Sequence, residues 1–248
     1  MKRNLQKILL CLYSFSASQQ LVLSLKCIRT VVPDMSEGGF RSLILFIERK
    51  GWIVKESLPG AQYISLTHKG REALKVKFPA LNQTWAVWSG EWQAMVCIQA
   101  PASDLQFRYL RQRLTAQHVF PLSRGVYLSA NGFSQEILEL CRSLYQDSVV
   151  IFSVGDWQFG LERPIIVKYY DLASVVSVYS SISNSIDQLL VKINTKKDRI
   201  DQLNENIPTA IDRLCDCLKE DPGFSKHYFP GLPDITSILP KIQHLLQL

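Results

Sequence analysis

Residues 31–74 read VVPDMSEGGFRSLILFIERKGWIVKESLPGAQYISLTHKGREAL. Pro33 closes the segment before it, and Asp34 or Ser36 can cap a new helix. Asp34 and Glu37, three positions apart, have the spacing of a capping box. Within that helix Phe40, Ile44 and Ile47 share one face with Leu43 beside it, while Arg41, Ser42, Glu48 and Arg49 point elsewhere. Gly51 stops it. Trp52 to Val54 is predicted as a strand, Leu58-Pro59-Gly60 as a turn and Tyr63 to Leu66 as the returning strand. Thr67 then caps a helix bearing Arg71 to Val76.

Working back towards the N-terminus, QLVLSLKCI (20–28) reads as a short helix. The opening MKRNLQKILLCLYSFSASQQ has the outline of an export signal, a basic head before an apolar run. That run is short and broken by Cys11, Tyr13 and Ser14. Its apolar residues Leu5, Ile8, Leu9 and Leu12 keep helical spacing, with Lys2, Arg3, Gln6 and Lys7 on the other face. We read it as the first helix of the fold, buried against Ile44 and Ile47. Three helices followed by a two-stranded hairpin make a winged helix-turn-helix, expected over 1–82. Its third helix is narrow enough for a major groove. Arg41 and Ser42, early on that helix and off its core face, are the candidate base readers. Gly38 and Gly39 let the helix start lie close to phosphate. Arg49, Lys50, Lys55, Lys69 and Arg71 are candidate phosphate contacts, which fix position without reading sequence.

Charge agrees with this division. The chain of 248 residues has a net charge of +6, yet residues 1–82 alone hold 13 Lys/Arg against 5 Asp/Glu, and the remainder is net −2. A basic head on a near-neutral body fits a polyanion partner. No apolar run reaches the roughly 18 residues of a membrane-spanning helix, so no membrane partner is expected and a cytoplasmic location is. Cys11, Cys27, Cys97, Cys141, Cys215 and Cys217 show neither zinc-site spacing nor a disulfide framework and read as reduced structural thiols. No cofactor or metal is expected.

The middle, 83–162, opens on Trp85, Trp88 and Trp92, read as packing residues rather than as base-stacking platforms. WQAMVCIQA, SDLQFRYLRQRLTAQ (capped by Ser103), HVFPLSRGVYLSA, GFSQEILELCRSLYQ and SVVIFSV follow in the order β-α-β-β-α-β, a ferredoxin-like unit expected to hold a dimer. Its first strand ends at Gln99 with no carboxylate, and His118 has no acidic cluster around it in sequence, so a catalytic constellation is not expected. The last part, 163–248, is expected to be a helical domain. It has a helical hairpin face or short coiled coil interrupted by NTKKD (194–198), then PTAIDRLCDCLKE closed by Asp221-Pro222, then a terminal helix. The overall class is α+β.

FRSLILFIERKGWIVKES and YISLTHKGREAL resemble the winged-helix head of the PaaX-like repressors, in which an Arg opens the recognition helix, Gly-Trp ends it and Tyr-x-Leu-Thr closes the wing. Arg41, Gly51-Trp52 and Tyr63 to Thr67 occupy those places. EWQAMVCIQAP, LRQRL and LSRGVYLS are similar to that family's central domain, and RLCDCLKEDPGFSKHYFPGLP to its C-terminal helical domain. The resemblance runs nearly the whole chain in order. It implies a homodimeric, non-enzymatic transcriptional repressor that binds an inverted-repeat operator in double-stranded DNA, released by a small effector such as an acyl-CoA thioester. The resemblance assigns no residues of this chain to the effector. Two other functions compete with it. One is a metal-dependent nuclease on the ferredoxin-like body, related to the small CRISPR adaptation nuclease, which would need the carboxylate missing around Gln99. The other is a protein-interaction module that never touches DNA.

Overall fold

A computed structural model describes residues 2–16, 20–58, 60–82, 88, 90–98, 105–130, 132–157, 160–195 and 199–248. The chain is α+β and divides into two compact units, residues 1–85 with 170–248, and residues 86–169. The boundaries expected from sequence, 1–82, 83–162 and 163–248, group the residues differently. The head and the C-terminal helices share one core, and residues 163–169 belong to the middle unit.

The first unit begins with α1 (Arg3–Cys11), β1 (Val22–Ser24), α2 (Leu25–Thr30), α3 (Glu37–Arg49), β2 (Ile53–Leu58), β3 (Ala61–Leu66) and α4 (His68–Lys77). Its sheet has the order β1-β3-β2, antiparallel throughout. The expected helix over 20–28 is therefore part strand. Val22, Leu23 and Ser24 pair with Ser65, Ile64 and Tyr63, and Ser24 then caps α2 by accepting from the Cys27 N–H. An apolar run this short suits either structure, and the open edge of β3 decides between them.

Leu5, Ile8, Leu9 and Leu12 are buried in the same cluster as Ile44 and Ile47. Of the polar face assigned to α1, Lys2 and Arg3 are exposed but Gln6 and Lys7 are not. Gln6 and Lys7 are 3% and 6% exposed, because the C-terminal helices cover that side. Those helices lie further along the chain, after the middle unit. That unit runs β4 (Trp92–Cys97), α5 (Leu105–Ala116), β5 (Phe120–Ser123), β6 (Val126–Ser129), α6 (Gln135–Leu144), β7 (Val149–Val154) and α7 (Glu162–Tyr169). Its antiparallel sheet has the order β5-β6-β4-β7. Met95, Tyr127, Leu110, Leu114 and Ile137 form the core between this sheet and α5 and α6. No apolar period in the sequence marks α7, and a single inward residue, Ile166, is fully buried.

The first unit resumes with α8 (Leu172–Thr195), α9 (Arg199–Glu220), α10 (Ser225–Tyr228) and α11 (Ile235–Gln247). α9 begins well before the expected start at Pro208, which sits inside it. Asp234 caps α11 through a reciprocal capping box with Ser237. α11 also closes α1, since the Gln243 side-chain amide donates to the carbonyls of Cys11 (3.1 Å) and Tyr13 (2.7 Å), groups a helix end leaves without partners.

Candidate nucleic-acid interface

Of the two possible caps, Ser36 is the one used. Its hydroxyl accepts from the Gly39 N–H at 3.2 Å and starts α3. Phe40, Ile44 and Ile47 turn inward at 5%, 3% and 0% exposure. The outer face carries Gly38, Arg41, Ser42, Leu45, Phe46 and Arg49, all exposed. A Cβ added at Gly38 would meet nothing within 4 Å, so the ground before the first turn is open, whereas at Gly39 it would crowd the Ser36 hydroxyl at 3.1 Å. Arg41, 74% exposed, reaches back to Glu37 at 3.0 Å, an exchangeable surface pair. Leu45 and Phe46 add apolar surface to a face that the sequence marks only by its charges.

The C-terminal end of α3 has its own order. Gly51 takes φ +69°, a conformation glycine adopts without strain, and the chain turns there into β2. Lys50 lies 5.8 Å from the centre of the Phe46 ring. Lys55 on β2 pairs with Glu48 on α3 at 2.5 Å, tying the hairpin to the helix. Thr67 accepts from the Gly70 N–H and donates to the Gly51 carbonyl at 2.7 Å, so one side chain caps α4 and holds the end of α3. Lys69 is exposed beside that junction.

Arg71 departs from its expected role. Its guanidinium lies 5.2 Å from the centre of the Tyr13 ring and donates to the Ser14 carbonyl, so it holds α4 to the segment after α1 rather than facing outward. Arg29, outside the set of candidate contacts, holds the turn between α2 and α3. It donates to the carbonyls of Val32 and Met35 and lies 5.6 Å from the centre of the Phe40 ring. Nothing in its immediate sequence separates it from the other basic residues. α2, α3 and the hairpin enclose a cleft of about 720 Å³ whose lining includes Lys26, Arg29, Phe40, Arg41, Ile44 and Lys55. Glu37 is the one acid on that lining, so the cleft is basic above an apolar floor.

The rest of the molecule offers less chemistry. Among the described residues no three His, Cys, Asp or Glu side chains are gathered as metal ligands would be. All six cysteines are free. Burial pushes the thiols of Cys215 and Cys217 up to about 12 and Cys97 to about 11, which keeps them protonated and poor nucleophiles. Trp92 is buried within the middle unit, with Trp88 edge-on to it at 5.1 Å and its own N–H donating to Glu162 at 2.6 Å. It packs and does not stack on a base. Trp85, Gln99 and Ser103, and residues 196–198 of the polar interruption, lie outside the described residues. No helix among the described residues is long and apolar enough to cross a membrane.

No family model matches the chain, and no curated protein matches it. Among solved structures it is similar to the uncharacterized protein Rv0674 from Mycobacterium tuberculosis, at 14% identity over 97% of each chain with a TM-score of 0.49.

Proposed function

We propose that this chain is a sequence-specific DNA-binding transcriptional regulator of the PaaX-like type. In this reading α1 to α3 with the β2–β3 hairpin act as a winged helix-turn-helix, and the four-stranded middle unit is ferredoxin-like. The protein is a cytoplasmic homodimer that represses from an inverted-repeat operator and is released by a small effector, an acyl-CoA thioester by resemblance. One observation carries it. The outward face of α3 presents Gly38, Arg41, Ser42 and Arg49 to solvent, with Lys50, Lys55 and Lys69 around its C-terminal end. A helix inserted in a major groove would bring Arg41 and Ser42 to base edges and the surrounding lysines to phosphates. Leu45 and Phe46 suit thymine methyl groups on the same face.

Selecting bound genomic fragments and then comparing cognate with scrambled duplexes tests this reading. Wild type is expected to prefer its selected site by at least the roughly 10³-fold of specific binders, and Arg41→Ala to lose most of that preference. Equal affinity for every sequence at all salt concentrations, or no loss of affinity as salt rises, would remove the reading.

A further inference from the structure

The two outer strands of the middle sheet differ in how they end it. β5 is four residues long, contains Pro121 and shifts register between Pro121 and Ser123. Short length, proline and irregular pairing are the devices that keep an edge from pairing further. β7 has none of them. It is six residues, VVIFSV, without charge or proline, and it pairs with β4 in unbroken register from Val149 to Val154. Among the described residues β4 is its sole partner.

The Ile98 N–H donates to the Ser148 carbonyl directly opposite at 2.8 Å, continuing that register. Antiparallel pairs alternate between bonded and non-bonded. Val150, Phe152 and Val154 therefore direct their backbone groups at β4, and Val149, Ile151 and Ser153 direct theirs at the free edge. On the sheet face away from the α5–α6 core, Val150 and Phe152 are 45% and 48% exposed. On the core face, Val149 and Ile151 are only partly covered. Among the described residues the strand is thus unpaired along its outer edge and mainly apolar on both faces.

We infer that the β7 edge is the interface between two copies of this chain, joined antiparallel about a two-fold axis at Ile151. That axis brings Val149 against Ser153 of the second copy and Ile151 against its own mate, each exchanging the outward N–H and C=O groups. Val150 faces Phe152 of the second copy, so the exposed apolar pair on one sheet completes the pair on the other. The exposed acids that flank the strand are kept apart by this register, since Asp147 meets Gly155 and Asp156 meets Gln146. A register one residue longer would set Asp147 against Asp156, and like charges directly opposite destabilise a ladder. The pairing makes one continuous sheet from two. It rests on the reading of a paired DNA reader for its purpose, and it names the surface that pairs.

Sedimentation of the full chain tests it. Wild type is expected at twice the 28.3 kDa chain mass at micromolar concentration. Ser153 is exposed and its N–H points outward, so Ser153→Pro leaves the β4 ladder intact. It is expected to sediment as a single chain with unchanged circular dichroism. Phe152→Lys is expected to do the same and decides the matter if the proline variant does not fold. The register has its own readout: Val150→Cys with Phe152→Cys is expected to cross-link on treatment with diamide, and neither single variant to do so. A wild type of single-chain mass, or a dimer that persists in a folded Ser153→Pro or Phe152→Lys variant, would overturn the interface. Gel shifts are read separately, so a monomer that still selects DNA removes the β7 edge and leaves the head's assignment standing.

Discussion

Lys7 on α1 and Asp212 on α9, 205 positions apart in sequence, meet at 2.6 Å. The lysine side chain is 8% exposed and the aspartate 27%. Arg3 joins the same carboxylate at 2.6 Å and reaches Asp216 at 3.0 Å. Asp216 is held below the usual carboxylate range, first by its hydrogen bond from Lys219 and further by Arg3. This cluster gives the buried Lys7 its counter-charge, and it joins the candidate DNA-binding head to the helices that follow the middle unit.

Asp212→Ala is expected to destabilise the protein well beyond the usual effect of a surface ion pair. It strands the Lys7 ammonium in a nearly buried position, and breaking a buried pair costs about 3 kcal/mol at the lower end of the observed range. The lower end applies because Asp212 keeps a quarter of its surface in water. Urea denaturation of the variant reads this cost, and restoring apolar packing with Lys7→Met in the same chain is expected to recover much of it. A loss no larger than that of Asp187→Ala, whose pair with Lys241 is far more exposed, would show that Lys7 reaches water by another route.

Gly70 predicts a second large effect. A Cβ there would stand 2.2 Å from the Trp52 carbonyl oxygen, a backbone atom that cannot swing aside. Trp52 is also fixed by its N–H to the Ile47 carbonyl and its carbonyl to the Thr67 N–H. Gly70→Ala is expected to cost at least the ~3 kcal/mol at the upper end of overpacking, lowering the melting temperature. Gly38→Ala, with open space around it, is the control and is expected to leave stability nearly unchanged.

The local elements were legible because each carries its own signal. Phe40, Ile44 and Ile47 announce a helix by spacing, Gly51 its end and Thr67 the next start, and the structure has each in its place. In the middle unit the strand and helix order follows the sequence from Trp92 to Val154. What was not legible depends on partners distant in sequence. Val22 to Ser24 became a strand because β3 had a free edge, and Lys7 became buried because α9 covers it. Arg71 looked like any basic residue on a wing's flank. Only Tyr13 and Ser14, more than fifty positions earlier, turn it inward.

Arg71 and Lys69 therefore separate two roles that sequence joined. Arg71→Ala is expected to lose about 2 kcal/mol of stability, the value of a charged hydrogen bond with ring contact, and to disturb DNA binding only through the fold. Lys69→Ala is expected to leave the melting temperature unchanged, to weaken binding to all duplexes alike and to reduce the salt slope by about 1. Melting curves and a salt series on both variants check the pair. The assignment fails if Arg71→Ala melts like wild type and alone lowers the slope.

Asp221 sets a pH dependence of unusual sign. It is 1% exposed and accepts from the Tyr179 hydroxyl at 2.8 Å, the Ser225 hydroxyl at 2.9 Å and the Gly223 N–H at 2.8 Å. Burial raises its carboxyl above the ordinary value of 3.8, and these three hydrogen bonds offset only part of that rise. The folded state thus holds the proton to higher pH than the unfolded chain. Its contribution to stability is fully present below the ordinary aspartate value and is lost as pH rises through the folded value. Asp221→Asn carries no such titration. The stability gap between wild type and Asp221→Asn, from urea melts between about pH 4 and pH 7, is expected to be widest at the acid end and to narrow as pH rises. A gap that widens with pH would mean that the hydrogen bonds from Tyr179, Ser225 and Gly223 outweigh burial, and that Asp221 stabilises the junction of α8, α9 and α10 as an ion.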